Sequence, residues 1–388
     1  MIVKKAYKYR FYPTREQKQD LARNFGGARL IYNYFLNVRT EAWQQEKKSI
    51  NYHETASMLT KFKKQKEVSF LNEVSSQVLQ QSLRDLEKAF TNFFKKRSRY
   101  PKFKKKSNEQ SIRYSNISFK LKGIELQLAK QKSPLDISWD RKLPKNCKIV
   151  SATVSKDCSN RYFISIICET NVKPLRKNKK SVGIDVGLKD LAILSDGTKL
   201  ENPKFLQEKE RTLKIRQRRL SRKVKGSKNR NKARLVVAKV HAGIKDARTD
   251  FIHKFTTKVV RENQAIFVEG LAIANRVKNY CLAKSISNAA WGMIFGQLEY
   301  KSKWYGRTYL ELDRFFPSSK MCSKCGHILE SLTLKIREWD CPKCLTHHDR
   351  DFNASKNIKI AGEYLLSTRS GAGKVTPTRY ERELINSA

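Results

Sequence analysis

The spacing of apolar and polar residues divides the first part of the chain into a strand, a helical segment and a group of later strands. Apolar and polar positions alternate from the start of the chain to Pro13, which predicts a strand. Thr14 and Gln17 form a capping-box pattern, and helical spacing follows to about residue 97, with a break predicted near Gly26 and Gly27. Alternation returns in "SIRYSNISFKLKGIELQL" and "NCKIVSATVSKDCSNRYFISIICET", which predicts strands joined by polar turns. We expect the first strand to pair with these strands, so that the helical segment is an insertion.

The second part of the chain alternates between short apolar strands and helices. After the basic linker "KPLRKNKK", the stretch "SVGIDVGLKDLAILSDG" predicts two strands and a turn, and "AIFVEGLAI" predicts a further buried strand. Two basic helices, separated near Gly226, are predicted between them, and "WGMIFGQLEYKSKWYG" and "NASKNIKIAGEYLL" predict later helices. Residues 367–388 are expected to form a flexible tail. The predicted fold class is a multidomain combination of α+β and α/β units.

Charge indicates the kind of partner that the chain binds. Lys and Arg number 82 against 36 Asp and Glu, giving a net charge of +46, and no acidic residue occurs between Arg211 and Lys245. This excess favours a nucleic-acid backbone over an anionic membrane, and the chain has no apolar run of about 18 residues. The opening stretch, "MIVKKAYKYRFYP", is charged and unlike a secretion signal. We therefore expect a cytoplasmic, nucleoid-associated protein from a prokaryote.

Four cysteines have the spacing of a structural zinc site. They form two C-x-x-C pairs separated by fifteen residues: Cys322, Cys325, Cys341 and Cys344. Two such turns place four thiolates around one ion, and a closed site of this kind has a structural role. A redox pair is the less favoured alternative, because a second pair follows at zinc-site distance. His327, His347 and His348 are expected near the site or at the surface, with a mixed ligand set as the alternative.

Three carboxylates are candidates for a second, catalytic metal site. Asp185 and Glu269 each end an apolar strand, and Asp351 follows the second cysteine pair. Each alone has an ordinary explanation as a turn residue, an ion-pair partner or a helix cap. Together, in a chain that attracts phosphates, they predict a site at which two Mg²⁺ ions promote hydrolysis of a phosphodiester. Asp349 is an alternative to Asp351 on these grounds.

Several motifs taken together resemble the TnpB family, whose members are transposon-encoded relatives of type V CRISPR effectors. They are "RYPKFKKK", "GIDVGLKDLAI", "FVEGL", "WGMIFGQLEYKSKWYG", "FFPSSKMCSKCG" and "CPKCLTHHDRDFNASKNI", and the resemblance extends from about residue 3 to residue 361. It implies a RuvC-like nuclease domain of the RNase H fold, divided by a zinc-binding insertion. It also implies a β-barrel wedge domain that carries a helical recognition insert. The implied boundaries are 1–13 and 98–175 for the wedge, 14–97 for the insert, 181–321 and 347–366 for the nuclease, and 322–346 for the zinc-binding insertion.

The same resemblance implies an activity and assigns residues to it. A guide RNA from the transposon end would direct cleavage of double-stranded DNA beside a short transposon-associated motif. The metal-binding acids would be Asp185, Glu269 and Asp351, the last because it begins the D-x-N-A pattern. Contacts to the DNA motif would come from Tyr52, Gln77, Gln80 and Asn116, for which an ordinary polar surface is the alternative.

The sequence thus predicts an RNA-guided, Mg²⁺-dependent endodeoxyribonuclease of an insertion sequence with a structural zinc ion. One alternative is an RNA-independent nuclease, resolvase or transposase with the RNase H fold. The length of the basic tracts argues mildly against it. Another is a non-catalytic zinc-ribbon regulator that binds nucleic acid. The presence of all three acids argues against that regulator.

Overall fold

The computed structural model describes residues 2–144, 147–276, 278, 280–333 and 335–368. The chain folds as two units, a first unit of residues 2–171 and 223–239 and a second unit of residues 172–222 and 240 onward. None of the helices in the described residues has the length and apolar character needed to span a bilayer. Of the predicted tail, residues 369–388 lie outside the described residues. Ser367 and Thr368 belong to the last helix, which therefore extends beyond the predicted boundary.

The described strands of the first unit form an antiparallel sheet and a small hairpin. They are β1 (Ile2–Phe11), β2 (Gln110–Ser115), β3 (Phe119–Lys122), β4 (Glu125–Leu128), β5 (Ile137–Ser138), β6 (Lys148–Lys156) and β7 (Tyr162–Asn171). The sheet has the order β2-β6-β7-β1-β5, and β3 pairs with β4. β1 pairs with β7 from Ile2 opposite Asn171 to Phe11 opposite Tyr162, which confirms the predicted pairing of the first strand. Within the described residues β2 and β5 remain edge strands, so the closed barrel stays a prediction.

Helices between β1 and β2 form the predicted helical segment. In the described residues these are α1 (Arg15–Glu46), α2 (Tyr52–Phe62) and α3 (Ser76–Phe94). The capping box of α1 is confirmed, because the Thr14 hydroxyl accepts the Gln17 amide at 3.2 Å and the Gln17 side chain accepts the Thr14 amide at 3.1 Å. The predicted break at Gly26 and Gly27 is wrong, since α1 passes through both. A Cβ at Gly27 would lie 3.0 Å from the Val74 side chain, so glycine at this position permits close packing.

The second unit is built on a mixed five-stranded sheet. The described strands of that sheet are β8 (Ser181–Asp185), β9 (Asp190–Leu194), β10 (Lys199–Glu201), β11 (Ala265–Val268) and β12 (Thr308–Glu311). Two further described strands, β13 (Glu338–Asp340) and β14 (His347–Asp349), pair with each other. The described helices of the second unit are α4 (Phe205–Ser221), α5 (Lys228–Glu262, from residue 240 on), α6 (Ile273–Arg276), α7 (Tyr280–Ala289), α8 (Trp291–Tyr305) and α9 (Arg350–Thr368). The sheet order is β10-β9-β8-β11-β12, and β11 is parallel to both β8 and β12. The predicted separation of the two basic helices near Gly226 is confirmed.

Helix α9 approaches the sheet closely at two glycines. A Cβ at Gly183 of β8 would overlap the Ser355 backbone of α9, and a Cβ at Gly362 of α9 would overlap the buried Phe267 ring of β11. The absence of a side chain at both positions therefore lets the helix pack directly on these strands. This helix begins at Arg350, three residues before the predicted start, so Asp351 lies within it.

Candidate functional site

The C-terminal ends of two parallel strands place two candidate acids side by side. Asp185 is the last residue of β8, and Glu269 follows the last residue of β11. Ile184 is opposite Val268 in the parallel register, so Asp185 and Glu269 occupy the next pair of positions. Asp351 lies in the first turn of α9, which packs on β8. The fold therefore brings three acids that are distant in the sequence to one edge of the sheet.

The three acids influence one another electrostatically. Burial, and then the negative charges of Glu269 and Asp351, raise the pKa of Asp185 to about 8. Burial also raises the pKa of Glu269, although the charge of Arg276, at 3.9 Å, opposes this effect. A guanidinium nitrogen of Arg337 lies 3.3 Å from a carboxylate oxygen of Asp351. Two of the three acids are thus held where their own ionised form is disfavoured.

These acids fit a site for hard divalent cations. A cation between them would relieve both the burial cost and the repulsion that raise the pKa of Asp185. Carboxylate oxygens are also the donors that Mg²⁺ prefers. The donor atoms do not form a ready-made cage for one ion, because among the described residues the group with all ligand atoms within 4.8 Å is the cysteine cluster.

The four predicted cysteines converge in the second unit. The Sγ atoms of Cys322 and Cys344 are 3.6 Å apart, those of Cys325 and Cys341 are 3.5 Å apart, and all four lie within 4.8 Å of one another. Each pair forms a tight turn, because the amide of the residue after the second cysteine donates to the carbonyl of the first. These bonds are 2.9 Å to Cys322 and 2.8 Å to Cys341. Four converging sulfur donors on two such turns fit a zinc ion.

The structure gives roles to the histidines and the acid that follow the second cysteine pair. The Nε2 atom of His348 is 3.0 Å from Sγ of Cys322, and its ring packs on Trp339 at 4.7 Å between centroids. His347 is exposed and bonds to Asp340 at 2.8 Å. Neither belongs to the group of four ligand atoms in the described residues. The set of four sulfur donors is therefore favoured over the mixed set.

Asp349 is the N-cap of the helix that carries Asp351. Its Oδ1 accepts the amides of Asp351 at 3.1 Å and Phe352 at 3.0 Å. Its other oxygen is 2.8 Å from the Lys199 ammonium. Although burial acts in the opposite direction, these bonds hold the pKa of Asp349 below its usual value. Because Asp349 fills the cap position, the Asp351 carboxylate is left to interact with the other acids.

Two asparagines that the sequence reasoning missed join α9 to the first cysteine pair. The side chain of Asn353 donates to the Met321 carbonyl at 2.7 Å and accepts the Ser323 amide at 2.9 Å. Asn357 donates to the Ser318 carbonyl at 2.8 Å. The signal available in the sequence was their spacing of one helical turn in "NASKN". The chain around Cys322 is thus attached to the helix that places Asp351.

The four predicted DNA-motif residues lie in the first unit. Two of them are on α3, and the other two are on or next to segments that contact α3. Gln77 and Gln80 are one turn apart on α3, and the Gln77 side chain accepts a bond from Ser115, the residue before Asn116, at 3.4 Å. The Tyr52 hydroxyl accepts a bond from Arg84 at 3.2 Å. Arg84 was not predicted, although it lies one turn beyond Gln80 on the same helix. The structure thus places these residues near α3 and adds an arginine to them.

Comparisons with known proteins assign the chain to a family. Residues 165–280 match a family model, OrfB_IS605, described as "Probable transposase", and residues 291–358 match "Cas12f1-like, TNB domain". A provisionally named RNA-guided DNA endonuclease of Streptomyces pristinaespiralis is 47% identical over 97% of this chain and 93% of its own. A second relative, InsQ of Escherichia coli K12, is also provisionally named an RNA-guided DNA endonuclease. It is 32% identical over 93% of each chain. The chain belongs to the TnpB family.

A solved structure supports the architecture of this TnpB family member. The chain in the "Cryo-EM structure of the Cas12f1-sgRNA-target DNA complex" aligns with 92% of this chain and 99% of its own, with a TM-score of 0.58 and 14% identity. At this identity the likeness shows the fold alone. The chain therefore has a Cas12f1-like multidomain α+β fold. A family model described as "Helix-turn-helix domain" matches residues 1–48, where the structure has β1 and the single helix α1.

Proposed function

We propose that this chain is an RNA-guided DNA endonuclease of an insertion sequence, which cleaves target DNA beside a short transposon-associated motif. The observation that carries the proposal is the meeting of Asp185, Glu269 and Asp351 at the edge of one sheet in a chain of net charge +46. The names of relatives 47% and 32% identical to it support the same activity. An acid cluster that is costly to keep charged needs a cation, and a cationic chain attracts a polyanion.

The proposed domains correspond to the two units except at residues 172–175 and 223–239, which fall in the other unit. Residues 181–321 and 347–366 would be a RuvC-like nuclease domain, with 322–346 as its zinc-binding insertion. Residues 1–13 and 98–175 would be the wedge, and 14–97 the recognition insert. The pairing of β1 with β7 supports this division, because it joins the ends of the first unit around the inserted helices.

The proposed chemistry is hydrolysis of a phosphodiester at the three acids. Bound Mg²⁺ supplies polarisation of the phosphate and a more acidic water. The charges of both Glu269 and Asp351 act on Asp185. Asp185 would therefore hold Mg²⁺ together with Glu269 and Asp351. The close packing of α9 on β8 and β11 would fix the position of Asp351 relative to the other acids.

The remaining assignments concern zinc and nucleic acid. The cysteine cluster would hold zinc with a structural role, joined to α9 through Asn353 and Asn357. The basic residues of α4 and α5 and the "KFKKK" segment would contact phosphates of the guide RNA and of its duplex with target DNA. The motif beside the target would be contacted by Tyr52, Gln77, Gln80 and Asn116, with Arg84 as an added candidate.

The test is cleavage by the purified chain with the RNA transcribed from its own transposon end. We expect a discrete RNA to co-purify, and we expect matched DNA to be cut in Mg²⁺ when that RNA is present. Asp185→Ala should bind the same DNA without cutting it. Asp250→Ala is the matched control, because Asp250 is an exposed acid of α5 paired with Lys254 at 2.7 Å. Cutting by Asp185→Ala, or equal cutting without RNA, would show that the assignment is wrong.

A further inference from the structure

Residues 94–106, the aromatic–basic segment, combine exposed rings with dense positive charge. The side chains of Phe94, Phe103 and Tyr100 are 71%, 55% and 42% exposed. Eight of the twelve residues from 95 to 106 are Lys or Arg, and none is acidic. Exposed aromatic rings among basic residues are the combination that binds unpaired nucleotides, because bases stack on the rings while cations contact the backbone.

The rings are held in place by the helices beneath them. Tyr100 contacts Phe93 and Phe90 edge to face, at 5.3 Å and 5.7 Å between centroids, and its hydroxyl is 2.7 Å from that of Thr40. Phe93 also contacts Phe94, at 5.3 Å. These contacts connect the exposed rings of Phe94 and Tyr100 through a ring that packs between them. Rings that are already fixed lose little conformational freedom when a base stacks on them.

The backbone around Phe103 is fixed by polar side chains. Asn33 of α1 donates to the Lys104 carbonyl at 3.0 Å and accepts the Lys104 amide at 2.8 Å. The Lys104 ammonium lies 4.0 Å from the centre of the Tyr32 ring. Gln110 then donates to the carbonyl of Lys105 at 3.1 Å. Phe103 is thus presented to solvent from a backbone that side-chain hydrogen bonds hold in place.

We propose that the aromatic–basic segment is a stacking platform for single-stranded nucleic acid, with Phe94 and Phe103 as the residues that contact bases. Stacking requires unpaired bases, so a continuous duplex would meet the cations of this segment and not its rings. This inference rests on the proposed function, in which "KFKKK" contacts phosphates, and adds stacking of bases on the neighbouring rings. Its test needs neither guide RNA nor cleavage, and it can therefore fail separately from the nuclease assignment.

The experiment compares single strands and a duplex on the full chain, freed of co-purified nucleic acid. Labelled oligouridylate, oligodeoxythymidylate and a DNA duplex of the same length are titrated at high salt, which weakens the phosphate contacts. Phe94→Leu and Phe103→Leu keep an apolar side chain and remove the π face. We expect each to weaken single-strand binding by about fivefold or more and to leave duplex binding unchanged. A larger loss for RNA or for DNA would identify which strand the platform holds.

Two controls separate stacking from a general effect. Ile124→Ala removes an apolar side chain that is 73% exposed and outside the segment, and it should change neither affinity. Phe103→Trp keeps a stacking face, so this variant should retain its affinity for single strands. The fluorescence of the introduced tryptophan should be quenched more by single strands than by the duplex. The proposal is overturned if the leucine variants bind single strands within twofold of the unmodified chain, or if duplex binding falls by the same factor.

Discussion

The carboxyl group of Asp185 occupies a position that disfavours its own charge. Burial and the charges of Glu269 and Asp351 raise its pKa to about 8 without metal, from about 3.9 in an unfolded chain. The folded state therefore holds a proton that the unfolded state releases. This proton stabilises the fold fully below about pH 4, and the stabilisation declines as the pH rises to about 8.

The prediction is that Asp185→Asn makes the metal-free protein more stable at alkaline pH. At about pH 9 the melting temperature of this variant should exceed that of the unmodified chain by at least about 3 °C, and the difference should shrink towards about pH 5. Mg²⁺ should raise the melting temperature of the unmodified chain at about pH 9 and have little effect on the variant. Asp250→Asn, at an exposed ion pair, is the control. Equal responses of both variants to Mg²⁺ would contradict the metal assignment.

Asp349 is predicted to act as a helix cap and not as a metal ligand. Asp349→Ala removes the acceptor of two α9 amides and should lower the free energy of unfolding by about 1 kcal/mol. Asp349→Asn keeps an acceptor and loses chiefly the exposed ion pair with Lys199, which contributes about 0–1 kcal/mol. Urea unfolding measures both. If cleavage stops entirely in Asp349→Asn while its stability is kept, Asp349 belongs to the catalytic set instead.

At the scale of elements, the packing of α9 on the sheet decides where Asp351 lies. Gly362→Ala would place a methyl group against the buried Phe267 ring, and overpacking of this kind costs about 1–3 kcal/mol. This exceeds the gain in helix propensity, which is at most about 1 kcal/mol. We expect a lower urea midpoint and slower cleavage, because the helix must move away from β11.

The matched control for this prediction is Gly296→Ala in α8. A Cβ at Gly296 meets no atom within 4 Å, so this variant should be unchanged or slightly more stable. Differential scanning calorimetry of the two variants compares a packed and an open helical glycine directly. A Gly362→Ala variant as stable as Gly296→Ala would mean that α9 does not pack on β11 as closely as described.

Elements whose pattern is local were predictable. Apart from the pairing of β1 with the later strands and the meeting of the cysteine pairs, contacts between distant residues were not. The capping box of α1 and the apolar runs of β8 and β11 lie within a few residues of one another, and all three were predicted. β12 has four residues and forms by pairing with β11, so no local period marks it. Gly26 and Gly27 look like a helix end because the packing of Gly27 against Val74 is invisible in local sequence.

The candidate site shows the same division. Asp185 and Glu269 could be chosen because each ends an apolar strand, and the cysteines because zinc requires fixed spacing. Asp351 was preferred to Asp349 only through the D-x-N-A pattern of the family. The cap formed by Asp349, the contact of His348 with Cys322 and the bonds of Asn353 depend on where β14 and α9 lie in three dimensions. Short polar residues have many possible partners, so their sequence neighbours do not identify the one they contact.

At the scale of the whole molecule, the net charge of +46 is the dominant electrostatic feature. Like charges repel in a compact chain, so added salt should stabilise the free protein while it weakens binding to nucleic acid. Not every cation contributes equally to that binding. A lysine already paired with a carboxylate has less charge to offer a phosphate, whereas exposed cations in a tract without acids remain available.

The last prediction uses this difference. Neutralising Arg211, Lys214 and Arg218 of α4 to Gln should reduce the slope of log affinity against log salt for duplex DNA by about 2.7 if all three contact phosphates. The control neutralises three cations outside α4 and α5 that each pair with a carboxylate: Arg23 at 2.6 Å, Lys284 at 2.6 Å and Lys303 at 2.6 Å. Both variants lose three charges, so net charge alone would change the two slopes equally. A larger change of this slope in the α4 variant than in the control would show that the acid-free tract contacts the nucleic acid. Equal changes of the slope in the two variants would contradict that contact.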